Sequence, residues 1–112
     1  MNCASCGPEG KGAVLTPEIK EVISQSPFLA LTTVSRDGQP HLIVVGKAKE
    51  IRDDDTLVFG VYGMKKTRQN LSETGLLQVA AVSGKVGYRF SGKATFTESE
   101  VFFAVEKADS LL

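Results

Sequence analysis

The sequence predicts a mainly β protein, an antiparallel, Greek-key-like barrel with helices at its periphery. Three observations predict it. Five strand-like segments, rich in β-branched and aromatic residues, follow one another with mostly hairpin-like links. Residues 86–97 alternate with period two. Only one helical signal falls between strands and the others flank the series, whereas a βαβ sheet needs one between every pair of strands.

Residues 1–15 form a Gly-rich lead-in without periodicity, expected to be mobile. A single domain is expected over 16–112. Thr16 is a good N-cap, Pro17 suits the first helical position and Glu18 complements the helix dipole. Ile19, Val22 and Ile23 share one face, and Pro27 ends this first helix. Residues 28–35 are apolar and β-branched throughout, which predicts a strand buried on both faces. Asp37-Gly38 marks a turn, and one long second strand is expected over 40–51. Asp53-Asp54-Asp55 reads as a solvated loop, followed by a third strand over 56–61. A helix over 66–74 ends at Gly75, where a left-handed residue is favoured.

The fourth strand is expected over 76–82 and the fifth over 86–97, joined by Ser83-Gly84-Lys85. In the fifth, Val86, Tyr88, Phe90, Ala94 and Phe96 share one face, and Gly92 interrupts the row as a bulge or barrel bend would. Val101, Phe102 and Val105 predict a last helix over 98–107.

The chain has 112 residues, 42% apolar and 23% charged, which suits one domain with one core. Thirteen basic and thirteen acidic residues leave no net field directed at nucleic acid or an anionic membrane. No apolar run reaches the roughly 18 residues of a membrane helix. No secretory signal is visible, so the cytoplasm is the expected compartment.

Two stretches carry candidate chemistry. Residues 63–70 leave an apolar strand, turn at Gly63 and enter a helix whose start carries Lys65, Lys66, Thr67 and Arg68. Exposed N–H groups, the positive dipole end, cationic side chains and a hydroxyl together suit a phosphate. A solvated helix start fits the same residues. In residues 40–48, Val44, Val45 and Gly46 offer the apolar wall and backbone amides that a flat aromatic ligand needs. Read alone, that stretch is also an ordinary core strand.

The segments "DGQPHLIVVGKAKEI", "LVFGVYGMKKTRQNL" and "QVAAVSGKV", with "GYRFSGKATF" after them, resemble in order and spacing the pyridoxamine 5′-phosphate oxidase-related, flavin mononucleotide (FMN)-binding split-barrel family. The resemblance covers about 16–103 and is greatest to the small bacterial FMN-binding proteins. It implies a split β-barrel, FMN as cofactor and a homodimer with the flavin at its interface. It further implies that Lys66 and Thr67 hold the phosphate, assisted by Lys65 or Asn70. Val44, Val45 and Gly46 would face the isoalloxazine ring with Lys47 close by, and Tyr88 or Arg89 would complete the pocket from the second subunit. The family's vitamin B6 oxidases carry a longer, substrate-binding C-terminal region, so specific pyridoxamine phosphate oxidation is not expected. Relatives also continue past this chain's end into another strand.

The implied function is electron transfer, as a carrier or a small flavin-dependent oxidoreductase with an unnamed redox partner or substrate. Lys47, Lys65 and Lys66 would favour the reduced, anionic flavin. The alternative is a non-catalytic module for another phosphate-bearing or aromatic ligand, such as a deazaflavin or haem. A third reading uses Cys3 and Cys6 as a redox dithiol or, across a dimer, a thiolate metal site; it lacks the strand-and-helix setting of thioredoxin-type motifs. His41, the only histidine, follows Pro40 beside a turn and is expected to make a structural hydrogen bond. The three adjacent aspartates cannot all point at one ion, so no metal site is expected there.

Overall fold

The computed structural model describes residues 14–60 and 64–111. Cys3 and Cys6 lie outside the described residues, as do 61–63. Helix α1 (Pro17–Gln25) begins as its sequence dictates: Thr16 Oγ1 accepts the Ile19 N–H at 3.3 Å, and Pro17 occupies the first turn. Ile19 and Ile23 are buried, and Ser26 leaves the helix in an extended conformation.

Seven strands follow: β1 (Leu29–Val34), β2 (Pro40–Val45), β3 (Glu50–Ile51), β4 (Thr56–Gly60), β5 (Leu76–Ser83), β6 (Val86–Phe96) and β7 (Glu100–Ser110). They form one antiparallel sheet in the order β2-β1-β5-β6-β7-β4-β3. Helix α2 (Lys65–Thr74) connects β4 to β5 and ends at Gly75, whose φ of 70° is the left-handed cap expected there.

The strand order shows that the sheet curls. β2 and β3 are opposite edges of the sheet, yet only residues 46–49 join them. That connection spans at most ~18 Å, whereas seven flat strands place their edges ~29 Å apart. The two edges therefore come together, giving a barrel whose interior holds Leu31, Phe59, Leu77, Val79, Phe90 and Phe103. Helix α2 packs against β1, β5 and β6.

Four expectations are corrected. Residues 40–51 are not one strand, because the chain leaves β2 at Gly46 and crosses to the other sheet edge before resuming as β3. Residues 98–107 are not helical but belong to β7, which pairs with β6 on one side and β4 on the other. Val101, Phe103 and Val105 point inward at alternate positions, and two waiting ladders outweigh the helical spacing of Val101 and Val105. β1 is buried on one face only, with Ala30, Thr32 and Val34 half-buried on the other, since no helix among the described residues covers that side.

The fourth correction concerns Asp55, which is only 8% exposed and has φ 62°. Its carboxylate accepts the N–H of Leu15 at 3.0 Å and that of Val14 at 3.4 Å. Its carbonyl accepts from Val105 N–H at 2.9 Å. This residue ties the start of the domain to the β3–β4 turn. Asp53 instead reaches out to Lys20 Nζ, 3.3 Å away.

The break at Gly92 is a bulge. Ser91 pairs with Lys107 and Gly92 with Val105, leaving Glu106 as the extra residue of β7. A Cβ on Gly92 would lie 2.1 Å from the Ala104 carbonyl oxygen, so only glycine permits this approach.

Candidate functional site

β2 alternates so that His41, Ile43 and Val45 are half-buried while Leu42 and Val44 stand outward, 62% and 58% exposed. Facing the inner residues is the start of α2. Met64 provides no side-chain cap there, and no acidic residue occupies the first turn. The leading N–H groups of a helix have no intrahelical acceptor, so this end presents free donors and positive dipole charge. Lys65 and Lys66 are exposed beside it and form no salt bridge with a described residue. Thr67 turns inward, 1% exposed, and its Oγ1 has no hydrogen-bond partner among the described residues. A buried, unsatisfied hydroxyl costs about 1–3 kcal/mol, and such a group calls for an explanation.

These elements enclose a cleft of about 700 Å³, within the usual range for cofactor pockets. One wall is His41 and residues 43–47, the other is Met64, Lys65, Lys66 and Thr67, and Phe59 and Gly60 of β4 complete the lining. No carboxylate is among these residues. The structure therefore gathers Val44, Val45, Gly46, Lys47, Lys65, Lys66 and Thr67 around one space, although residues 44–47 and 65–67 are joined only through β3 and β4.

Other candidates are placed differently. Asn70 is fully buried one turn behind Thr67; its Nδ2 donates to Thr33 Oγ1 at 2.9 Å and its Oδ1 has no partner. It supports α2 and does not line the cleft. Lys47 lines the cleft, but its ammonium donates to the carbonyls of Ser24 (2.7 Å) and Ser26 (3.1 Å) at the end of α1. That charge neutralises helix carbonyls instead of standing free. Tyr88 lies against Phe90, ring centroids 6.2 Å apart, and Arg89 pairs with Asp109 at 3.6 Å; neither lines the cleft within one chain.

His41 does line it, and its ring makes no hydrogen bond to a described residue. The period-two spacing of His41, Ile43 and Val45 is the sequence signal that shows it. The two walls are held in register by Glu73 of α2, which accepts the Arg36 N–H from the β1–β2 turn at 3.0 Å. This bond, aided by Gln69, holds the Glu73 carboxyl below its ordinary pKa. Among the described residues no group of His, Cys, Asp and Glu is arranged to hold a metal, and no helix is long and apolar enough to cross a membrane.

Comparison with known proteins agrees with this architecture. The family model described as pyridoxamine 5′-phosphate oxidase matches residues 15–108. No curated protein matches the chain. Among solved structures, HupZ of Group A Streptococcus is 23% identical, with a TM-score of 0.74 over 86% of this chain and 93% of its own. An FMN-binding protein of Syntrophomonas wolfei is 19% identical, with a TM-score of 0.66 over 82% of this chain and 80% of its own. HutZ, the heme storage protein of Vibrio cholerae, is 14% identical, with a TM-score of 0.58 over 84% of this chain and 90% of its own. At these identities the likeness establishes the split-barrel fold.

Proposed function

The chain belongs to the pyridoxamine 5′-phosphate oxidase family, and from that premise we propose that it binds FMN in the β2–α2 cleft and works as a small electron-transferring flavoprotein. The observation that carries the proposal is the buried, partnerless Thr67 hydroxyl at an uncapped helix start flanked by two unpaired lysines. A phosphate carries nearly two negative charges at neutral pH and three strong acceptor oxygens, which answer these donors together. Val44, Val45 and Gly46 line the cleft, where their backbone would border a flat ring, and Gly46 has no neighbour within 4 Å of where a Cβ would stand.

Bound FMN supplies reversible electron and hydride transfer. The chain's own residues bind and orient: Lys65, Lys66 and Thr67 fix the anionic end, and Ile43 and Phe59 provide apolar lining. Lys65 and Lys66 supply the cationic field that favours a reduced, anionic ring, Lys47 being committed to α1.

The same reading includes a homodimer. Phe28, Leu42, Val44 and Val82 are exposed on the outer side of β2, β1 and β5, where Ala30 pairs with both Val44 and Ala80. An apolar face continuous with the cleft through Val44 suits a second copy that closes the pocket from outside. Tyr88 or Arg89 of that copy remain the proposed contributors.

Titration of the purified protein with FMN, followed by quenching of flavin fluorescence, tests the proposal. Stoichiometric quenching is expected, weakened at least about tenfold in Lys66→Ala by loss of one charge-assisted contact. Absence of quenching by stoichiometric protein would remove the flavin reading. A second reading, haem binding, is favoured by one observation: the only histidine of the chain lines the cleft, and histidine is a common haem ligand. Added haemin giving a sharp Soret band that His41→Ala abolishes would decide for it.

A further inference from the structure

We infer that His41 is a ligand for the phosphate end of the bound molecule, completing from the sheet side the cradle that α2 supplies from the helix side. The inference rests on reading the cleft as a phosphate-ligand site and adds a residue that makes the site selective for phosphorylated over unphosphorylated ligands.

The position of His41 follows from the register. It pairs directly with Thr33 across the β1–β2 ladder, and both point to the inner face of the sheet. Side chains directly opposite in such a pair have Cβ atoms about 5 Å apart. The Thr33 hydroxyl accepts from Asn70 Nδ2 at 2.9 Å. Asn70 stands three residues after Thr67 on the same face of α2, where such residues are neighbours. A line of neighbouring positions therefore runs from His41 through Thr33 and Asn70 to Thr67, and His41 and Thr67 line the same cleft. His41 sits at the anionic end, opposite the end where Lys47 leaves β2.

The chemistry agrees with that placement. The charged groups lining the cleft are Lys47, Lys65 and Lys66, with no carboxylate to compete for an imidazole N–H. The ring is half-buried and makes no hydrogen bond to a described residue. An imidazole always offers at least one N–H donor, and phosphate oxygens are strong acceptors.

The test uses the full chain, in which the ring signals of the single histidine are unambiguous by NMR. Inorganic phosphate, compared with sodium chloride of equal ionic strength, is expected to shift these signals saturably, and FMN to shift them further. In parallel, His41→Leu is expected to bind FMN about tenfold more weakly and riboflavin unchanged, with His41→Gln, which keeps an N–H donor, recovering part of the loss. Signals that move with neither phosphate nor FMN overturn the inference, as does a leucine variant that binds FMN like the wild type or loses FMN and riboflavin equally. Signals that move with phosphate in a protein that does not bind FMN retain His41 as an anion ligand and dismiss the flavin. FMN binding that leaves the signals still keeps the flavin and dismisses His41.

Discussion

Replacing Thr67 with valine separates what the barrel needs from what the site needs. Thr67 is 1% exposed, and its hydroxyl is sealed from solvent without a partner. Valine has nearly the same shape and helix propensity, so the exchange removes an unsatisfied polar atom and little else. Such an atom costs about 1–3 kcal/mol. Taking the lower end, the ligand-free variant is expected to melt ~4 °C above the wild type. In the proposed loaded protein the same hydroxyl would donate to the phosphate, and losing a hydrogen bond to a charged group costs about 1.5–3 kcal/mol, roughly ten- to a hundredfold in affinity.

FMN therefore reverses or erases the order. At about 100 times its Kd the ligand stabilises the wild type by ~2.7 kcal/mol, whereas a variant with a hundredfold weaker Kd gains only ~0.4 kcal/mol. Melting curves by circular dichroism, with and without FMN, read both effects. A variant that melts at or below the wild type without ligand would refute the claim that this hydroxyl is a stored cost. A variant that is more stable in both conditions and binds FMN equally would refute its role in the site.

Two further outcomes follow from the packing. Gly92→Ala places a Cβ 2.1 Å from the Ala104 carbonyl oxygen, a backbone atom that cannot step aside alone. About 2–4 kcal/mol and ~10 °C of melting temperature should be lost, and a melting temperature within ~2 °C of wild type would show that the bulge relaxes. Glu73, held below its ordinary pKa mainly by the Arg36 N–H, stabilises the fold while ionised. Its contribution is present above the unfolded carboxylate pKa and is lost as pH falls through the lower folded value. Glu73→Gln should therefore reduce stability at neutral pH and lose less than the wild type on acidification; parallel stability-versus-pH curves would contradict this.

How much of this was legible in the sequence depended on whether the deciding interaction was local. Thr16, Pro17 and Gly75 bound their helices through contacts within a few residues, and they stand where the residue types require. The alternation of β6 and its interruption at Gly92 were equally readable, because a pleated strand carries its own period. What escaped was set by distant partners. Residues 40–51 look continuous, yet the strand order puts β2 and β3 at opposite edges of the sheet, which its curl brings together, a fact held in the pairing of β4 with β7.

Residues 98–107 satisfy a helical and a strand pattern at once, and only the ladders of β4 and β6 choose between them. Asp55 looks like the last of three solvated aspartates until the N–H groups of Val14 and Leu15, forty residues away in sequence, arrive to use its carboxylate. The two walls of the cleft were each visible as a motif, and the fold supplies their juxtaposition. The resemblance makes Lys47 part of the cationic surroundings of the ring, but its charge is spent on the carbonyls of Ser24 and Ser26. Its place beside a turn suggests a structural role for His41, though its spacing with Ile43 and Val45 puts it on the face that meets α2.

The most direct test of the central claim is the visible absorption spectrum of the protein after incubation with FMN and removal of excess by desalting. The account predicts flavin bands retained in proportion to protein, and their loss in a Lys66→Ala, Thr67→Ala variant that keeps the wild-type circular dichroism spectrum. A folded wild-type protein that emerges colourless, or a variant that retains the bands undiminished, would contradict it.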